Sequence, residues 1–441
     1  MVFSSSEEAS LVYDHKLSSV GPGCAIGSNE AHELSGLDLA MKLHYLKGVY
    51  FFSSHAVEGI TNMKIKETLF YFLNEYFHTC GRFRRSELGR PFLKCNDCGA
   101  RFIEAHCDKT IDEWFQMENW AAMQKLLVSQ QVIGPEISFS PPVLFQATKF
   151  RCGGISLGLS WAHILGDPFS ASDFMNRWAQ VAGVVLSTGP LKTTSTTRPP
   201  KPKHETSHNP TPLPARNLPE SLKRVDPVGD HWIAKNDTKM EMFSFHISPS
   251  LTAHLKSQIS SPIFESVSAI VWKSIAKVRE ELEPKIVTVF KNNPKRTKGV
   301  LANSQIISSV QVDFSVMEAD AESLASLLGE KAIDETTQIE ETVEKDQGTS
   351  DFVVYGANLS FVDWQEMDLY SLELQGHKPE FVSYDVQGVG ENGVVFVFPG
   401  PKCYGESGEG RVVSLILPEK EVCEVKFELK KNGLLLEENI E

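Results

Sequence analysis

His163 and Asp167 are the residues of this chain whose types and spacing are best suited to chemistry. A histidine has a near-neutral pKa, so at cellular pH its imidazole can take a proton from a hydroxyl or an amine. The chain contains 13 histidines, so one His-x-x-x-Asp pair is a weak signal by itself. A histidine hydrogen-bonded at a strand end, beside an aspartate that holds a turn, explains the pair equally well.

The elements that must position this pair are a hairpin and a helix within residues 143–179. Two apolar runs flank the turn at 151–154, which is a hairpin signal. The second run, 155–161, places His163 at the end of a buried strand, where a substrate can reach it.

A helix is predicted directly after this strand. Phe174 and Trp178 lie four residues apart, so they share one face of that helix. Ser170 or Ser172 is predicted as its N-cap.

Composition describes an ordinary globular protein and excludes several classes. The chain has 441 residues, 41% of them hydrophobic and 23% charged, with a net charge of −14, which argues against general nucleic-acid binding. No apolar run is long enough to span a bilayer, and the first ten residues do not resemble a secretory signal. The eight cysteines form no disulfide framework, which suits a reducing compartment. Cys95 and Cys98 lack the second pair that a zinc site needs, so we expect no metal.

Strands alternate with helices along the chain, which predicts an α/β class with mixed sheets. After a polar tail, the first strand is expected near residues 23–28. Residues 187–229 contain nine of the 23 prolines and are interpreted as a crossover linker. The predicted domains are therefore 1–186 and 230–441, with a binding cleft between them.

Four stretches give the chain a resemblance to the BAHD acyltransferases of plants. They are LSGLDLAMKLHYLKGVYFF (34–52), CGRFRR (80–85), GLSWAHILGD around His163, and SVSAIVWKSIAKVR (266–279). The resemblance implies two chloramphenicol-acetyltransferase-like domains with mixed β-sheets and flanking helices, and a channel at their interface. It also implies that His163 is the general base of acyl transfer from acyl-CoA. Asp167 would be the structural partner that pairs with an arginine.

The chain departs from this family's pattern at several positions. Pro168 follows the aspartate, where the family usually has glycine. The family's second motif, Asp-Phe-Gly-Trp-Gly before a basic residue and proline, shapes the domain interface and the CoA channel. It is replaced here by Glu373, Leu374, Gln375, Gly376 and His377. The Tyr-Phe-Gly-Asn segment is replaced by residues 302–305, and Lys291 is only a positional candidate for the partner of Asp167.

These departures resemble one subgroup, the eceriferum and glossy proteins of cuticular wax synthesis. The shared stretches are LDLAMKLHYLK (37–47), GRPFLKCNDCG (89–99), LGLSWAHILGDPFS (157–170), SDFVVYGANLSFVD (350–363) and VVFVFPG (394–400). The resemblance implies an accessory protein of the very-long-chain fatty-acid elongase that works with a ketoacyl-CoA synthase. It implies very-long-chain acyl-CoA as a ligand or substrate and no tightly bound cofactor. It further implies peripheral attachment to the cytosolic face of the endoplasmic reticulum, alongside a cytosolic pool.

Two alternative functions and two local alternatives remain open from the sequence. The intact His163 and Asp167 favour an acyl-CoA-dependent O- or N-acyltransferase. A ligand-binding or scaffolding protein unrelated to lipids has less support, because no nucleotide-binding loop is present. His377 beside Lys378 could form a new catalytic pair, but a surface turn before a proline is the commoner explanation. The basic loop at 291–298 could meet a phosphate, although a solvated loop is the simpler interpretation.

Overall fold

The computed structural model describes residues 11–26, 30–117, 119–189, 218–401 and 410–435. Its strands are β1 (Val12–Val20), β2 (Glu30–His32), β3 (Tyr45–Phe52), β4 (Arg82–Arg85), β5 (Pro91–Cys95), β6 (Ala100–Cys107), β7 (Val143–Phe150), β8 (Ile155–Ala162), β9 (Lys223–Val225), β10 (Met240–Ile247), β11 (Ile286–Lys291), β12 (Ile306–Gln311), β13 (Ile333–Asp334), β14 (Asp351–Val353), β15 (Leu359–Asp363), β16 (Phe381–Gln387), β17 (Val394–Pro399) and β18 (Arg411–Pro418). Its helices are α1 (Gly36–Ala40), α2 (Asn62–Phe72), α3 (Ile111–Phe115), α4 (Trp120–Met123), α5 (Pro168–Thr188), α6 (Pro249–Gln258), α7 (Ile263–Arg279), α8 (Ala321–Glu330), α9 (Thr336–Glu344) and α10 (Glu419–Lys431).

The first large sheet has six strands in the order β1-β6-β7-β8-β3-β16. β3 and β8 are buried along their whole length, as their apolar runs require, and they pair antiparallel with Tyr45 opposite Ala162. Only the β6–β7 pairing is parallel among the neighbours in this sheet. The edge strand β16 comes from the second half of the chain and pairs antiparallel with β3. The first sheet is thus built from both halves.

The second large sheet has seven strands in the order β10-β18-β17-β15-β11-β12-β13. β15 runs parallel to both β11 and β17, while the other neighbouring pairs are antiparallel. Helix α7 packs its apolar face on this sheet, and Trp272 is fully buried there. Both large sheets are mixed, so the predicted α/β class with flanking helices is confirmed.

Two sequence expectations about the chain's organisation have different outcomes. The first strand of the described residues is β1 at Val12–Val20, whose two end residues are buried and whose other positions are mostly exposed. Residues 23–26 form no strand and 27–28 lie outside the described residues, so the first strand was wrongly expected near residues 23–28. The linker predicted at 187–229 lies mostly outside the described residues, which resume at 218. The division into 1–186 and 230–441 therefore stays a prediction.

The described residues offer neither a spanning helix nor a metal-binding cluster. Among them, no helix is both long and apolar enough to cross a bilayer. Within the same ranges, histidine, cysteine and acidic side chains do not gather in groups of three or more that could hold a metal ion.

Candidate functional site

His163 lies directly after β8, at the start of a 3₁₀ turn that runs to Leu165. Its backbone N–H donates a hydrogen bond to the carbonyl of His44 at 3.0 Å. Its side chain is fully buried, at 0% exposure, and its Nε2 lies 3.2 Å from the hydroxyl of Tyr355. The predicted position at a strand end is correct, but the imidazole faces a tyrosine of this chain.

Tyr355 is the residue that encloses the imidazole. It follows β14 and is fully buried. Its ring stacks on Phe290, with centroids 4.4 Å apart and an interplanar angle of 6°, and it meets His44 edge-on at 5.2 Å. Its hydroxyl donates a hydrogen bond to Gln305 Oε1 at 3.1 Å. The phenol of Tyr355 is therefore the only described partner of His163 Nε2, and two aromatic rings and an amide contact this phenol.

Burial controls the protonation of this cluster. It lowers the pKa of His163 to about 4, against the opposing influence of its own backbone carbonyl and of Asn303. Burial, with a smaller contribution from His163, lowers the pKa of His44 to about 3. The pKa of Tyr355 is raised well above 10, because burial and the nearby Asp167 disfavour the phenolate. At cellular pH both histidines are neutral, and His163 retains a lone pair that is only weakly basic.

Asp167 caps helix α5. Its Oδ1 accepts a hydrogen bond from the backbone N–H of Ser170 at 2.9 Å, and Pro168 occupies the first helical turn, where its missing N–H costs nothing. The N-cap predicted at Ser170 or Ser172 was therefore wrong. Phe174 and Trp178 share the buried face of α5, as predicted.

The second oxygen of Asp167 faces residues 302–305. Oδ2 accepts hydrogen bonds from the backbone N–H of Ser304 at 3.0 Å and from its hydroxyl at 2.9 Å. Burial raises the pKa of Asp167, while these donors and the charge of Arg296 oppose the rise. The positional candidate Lys291 forms an ion pair with Glu265 at 2.7 Å, so the expectation that it partners Asp167 was wrong.

The segment 302–305 joins the two halves of the chain at the site. Asn303 donates from its side chain to the carbonyl of His163 at 2.8 Å and to Asp38 Oδ1 at 2.9 Å. Gln305 accepts from Tyr355, as described above. Sequence reasoning compared this segment with a family motif but missed its contacts with His163 and Asp167. It also missed Tyr355 and Asp38, although both lie in stretches that carry the family resemblance.

The basic loop at 291–298 is anchored to helix α5. Arg296 forms an ion pair with Asp173, with Nη1 and Oδ2 2.9 Å apart, and both side chains are largely buried. Asp173 Oδ2 also accepts the backbone N–H of Gly299 at 3.0 Å. Arg296 thus anchors the segment that leads into residues 302–305.

The residues that replace the second motif form a tight turn. Leu374 and His377 exchange two backbone hydrogen bonds of 2.9 Å. Gln375 and Gly376, between them, have positive φ values of 50° and 81°, a conformation that glycine adopts without strain. The side chains of Glu373, Gln375 and His377 are exposed, and Leu374 is buried.

Two cavities lie elsewhere in the described chain. One of about 430 Å³ is lined by parts of 223–240 and 386–391, including Lys223, Lys235, Asp237 and Glu391. Another of about 670 Å³ lies beside α8, lined by residues that include Ser261 and Phe314. Both sizes fall in the range of small-molecule pockets. His163 lines neither of them, and the channel expected at the domain interface stays a prediction.

The architecture has counterparts among solved structures. Vinorine synthase shares the fold with a TM-score of 0.69 and 17% identity, over 97% of this chain and 99% of that chain. F. graminearum TRI101 complexed with coenzyme A and deoxynivalenol has a TM-score of 0.66 and 15% identity, over 91% of this chain and 97% of that chain. The fold is therefore the two-domain acyltransferase fold, with mixed sheets and helices.

Sequence relatives define the family. The Transferase family model matches residues 25–431. Protein ECERIFERUM 26-like of Arabidopsis thaliana is 44% identical, over 97% of this chain and 98% of its own length. Protein ECERIFERUM 2 of the same plant is 36% identical, over 96% of this chain and 99% of its own length. The chain therefore belongs to the Transferase family, that of the BAHD acyltransferases, and its close relatives include ECERIFERUM proteins.

Proposed function

We propose that this chain is an accessory protein of the very-long-chain fatty-acid elongase and acts with a ketoacyl-CoA synthase in cuticular wax formation. The observation that carries the proposal is the full-length similarity to ECERIFERUM proteins. Protein ECERIFERUM 26 is 43% identical over 96% of this chain. By contrast, a hydroxycinnamoyltransferase of Narcissus pseudonarcissus is 28% identical over 56% of it. The whole sequence is thus closer to the ECERIFERUM proteins than to that enzyme.

The site supports a role that does not need acyl transfer. His163 is fully buried and its Nε2 contacts Tyr355, while the second motif of the acyltransferases is replaced by an exposed turn at 373–377. A general base must come within hydrogen-bonding distance of the hydroxyl that it deprotonates. In this conformation the hydroxyl of Tyr355 already lies within that distance of His163 Nε2.

Very-long-chain acyl-CoA is the proposed ligand. TRI101, which shares the fold, has been solved in complex with coenzyme A. Each methylene that an apolar groove removes from water contributes about 0.8 kcal/mol, so a modest groove can select chain length. We place the protein at the cytosolic face of the endoplasmic reticulum, held by its partner or by weak surface contacts, and in the cytosol.

A second candidate is acyl-CoA-dependent O- or N-acyl transfer with His163 as the general base. The observation in its favour is that burial keeps this imidazole neutral at cellular pH, which is the form that accepts a proton. Asp167 would then act as a positioning residue, because it caps α5 and binds Ser304. Loss of a general base lowers the rate by about 10²–10⁴-fold.

Co-expression in yeast with a plant ketoacyl-CoA synthase separates the two candidates. Fatty-acid profiles are compared for the native chain, His163→Ala and His163→Gln at matched protein abundance. The glutamine side chain can still hydrogen-bond to Tyr355 but is not a base. Equal lengthening of the products by all three supports the elongase role. Lengthening by the native chain alone supports acyl transfer, and unchanged profiles with the native chain contradict the elongase proposal.

A further inference from the structure

We infer that Tyr355 occupies the position in which a substrate hydroxyl would meet His163, so that the chain fills its own acceptor site. The distance of 3.2 Å from its oxygen to His163 Nε2 lies within the range of about 2.6–3.2 Å over which a general base contacts its proton donor. Both groups are fully buried, so the contact is made away from solvent.

The tyrosine ring is packed against two aromatic rings. Phe290 stacks on it nearly parallel, at an interplanar angle of 6°, and His44 contacts it almost perpendicularly, at 84°. A ring held in a close-packed interior turns away only if its neighbours repack. In this structure Tyr355 is therefore part of the wall of the site.

The backbone on either side of Tyr355 is also fixed. The N–H of Val354 donates to His44 Nε2 at 3.0 Å, and the N–H of Gly356 donates to Ser360 Oγ at 3.0 Å. Gly356 has a φ of +82°, and a Cβ there would meet the backbone nitrogen of Gly390 at 2.6 Å. The segment therefore cannot shift the ring away without losing these contacts.

The hydroxyl of Tyr355 contacts a second residue besides His163. Its single proton is donated to Gln305 Oε1 at 3.1 Å, so the phenol oxygen accepts from the Nε2–H of neutral His163. An acceptor hydroxyl that displaced the phenol would have to satisfy both His163 and Gln305, because a buried polar group without a partner is costly. This inference does not require the elongase role, although the same contact is one of the arguments for that role.

The test replaces Tyr355 with alanine and adds phenol. In Tyr355→Ala, we expect phenol to occupy the vacated space and to raise the melting temperature by several degrees in a concentration-dependent manner, as a ligand of the folded state does. The native protein should show no comparable shift. Toluene, which lacks the hydroxyl, should stabilise Tyr355→Ala less than phenol. In the double variant Tyr355→Ala/His163→Ala, the preference for phenol over toluene should disappear.

Equal effects of phenol on the native protein and on Tyr355→Ala would overturn the inference. So would the absence of any phenol effect on the variant, or a phenol preference that survives removal of His163.

A second measurement does not depend on the folding of Tyr355→Ala. The native protein and Tyr355→Phe, which keeps the ring, are treated with diethyl pyrocarbonate, and modified histidines are located by peptide mass spectrometry. His55 is exposed and serves as the internal reference. We expect His163 to react at least tenfold more slowly than His55 in both proteins. Reaction of His163 at the rate of His55 in either protein would show that the ring does not close the site.

Discussion

Asp38 accepts two hydrogen bonds from Asn303, one from its backbone N–H at 3.1 Å and one from its side-chain amide at 2.9 Å. The other carboxylate oxygen of Asp38 accepts the backbone N–H of Ser35, which closes the capping box of α1. The same Asn303 amide donates to the carbonyl of His163. One buried carboxylate thereby joins α1 to the loop that holds the backbone of His163.

Replacing Asp38 with alanine should destabilise the protein by about 3 kcal/mol, because it leaves buried N–H groups of Asn303 and Ser35 without an acceptor. Urea unfolding followed by tryptophan fluorescence measures the change. Ser35→Ala is the matched control, because it removes only the hydroxyl that caps α1 and should cost about 1 kcal/mol. Equal losses for the two variants would show that the link to Asn303 contributes nothing.

Replacing Arg296 with alanine should destabilise the protein by about 2–4 kcal/mol, since Asp173 is left buried without its counter-charge. Hydrogen exchange should also become faster in the loop that leads to residues 302–305. Lys298→Ala is the control, because that side chain is exposed in the same loop and should change stability by less than about 0.5 kcal/mol. If both variants behave like the native protein, Arg296 does not anchor the loop.

In the turn that replaces the second motif, we expect substitution of a buried residue to lower stability and substitution of an exposed residue to have little effect. Leu374→Ala should cost about 2–4 kcal/mol, because it removes methyl groups from the core. His377→Ala should change stability by less than about 0.5 kcal/mol and leave the elongase products in yeast unchanged, because its side chain is exposed. Loss of product lengthening in His377→Ala at normal abundance would instead make His377 a functional residue.

Asp385 should make stability depend on pH. It lies opposite Lys47 in the β3–β16 register, and burial raises its pKa from 3.8 to about 7, against the opposing charge of Lys47. Between these values the folded chain keeps a proton that the unfolded chain has lost. The contribution of Asp385 to the free energy of unfolding therefore falls as pH rises from about 4 to about 7.

Asp385→Asn should remove this decline. Each pKa unit corresponds to about 1.4 kcal/mol, and because Asp385 is only partly buried we expect a difference of about 1–2 kcal/mol across the interval. Urea unfolding of both proteins at pH 4.5, 5.5 and 6.5 measures it. Parallel pH profiles for the native protein and the variant would contradict a titrating Asp385.

Sequence reasoning worked best where the pattern was local. The buried strand before His163 and the apolar face of α5 were both predicted, because uninterrupted apolar runs and a four-residue spacing determine them. The cap of α5 was misplaced by a few residues. Asp167 had been interpreted as a residue that holds a turn or pairs with a distant arginine, although an aspartate followed by proline is itself a good helix start.

The contacts that close the site could not be predicted, because they join residues far apart in sequence. Tyr355 meets His163 across 192 positions, and Asn303 meets Asp38 across 265.

Strand β1 was missed for a related reason. It is an edge strand with mostly exposed residues, and its pairing with β6 gives it order that its own composition does not indicate.

The pairing of β16 with β3 has a consequence for synthesis of the protein. During translation β3 emerges early, but its partner at residues 381–387 leaves the ribosome several hundred residues later. At about 5–20 residues per second, the buried edge of the first sheet stays open for tens of seconds. An exposed apolar strand edge invites aggregation over that interval. We therefore expect ribosome-associated chaperones to bind the nascent chain until residues 381–387 have been made.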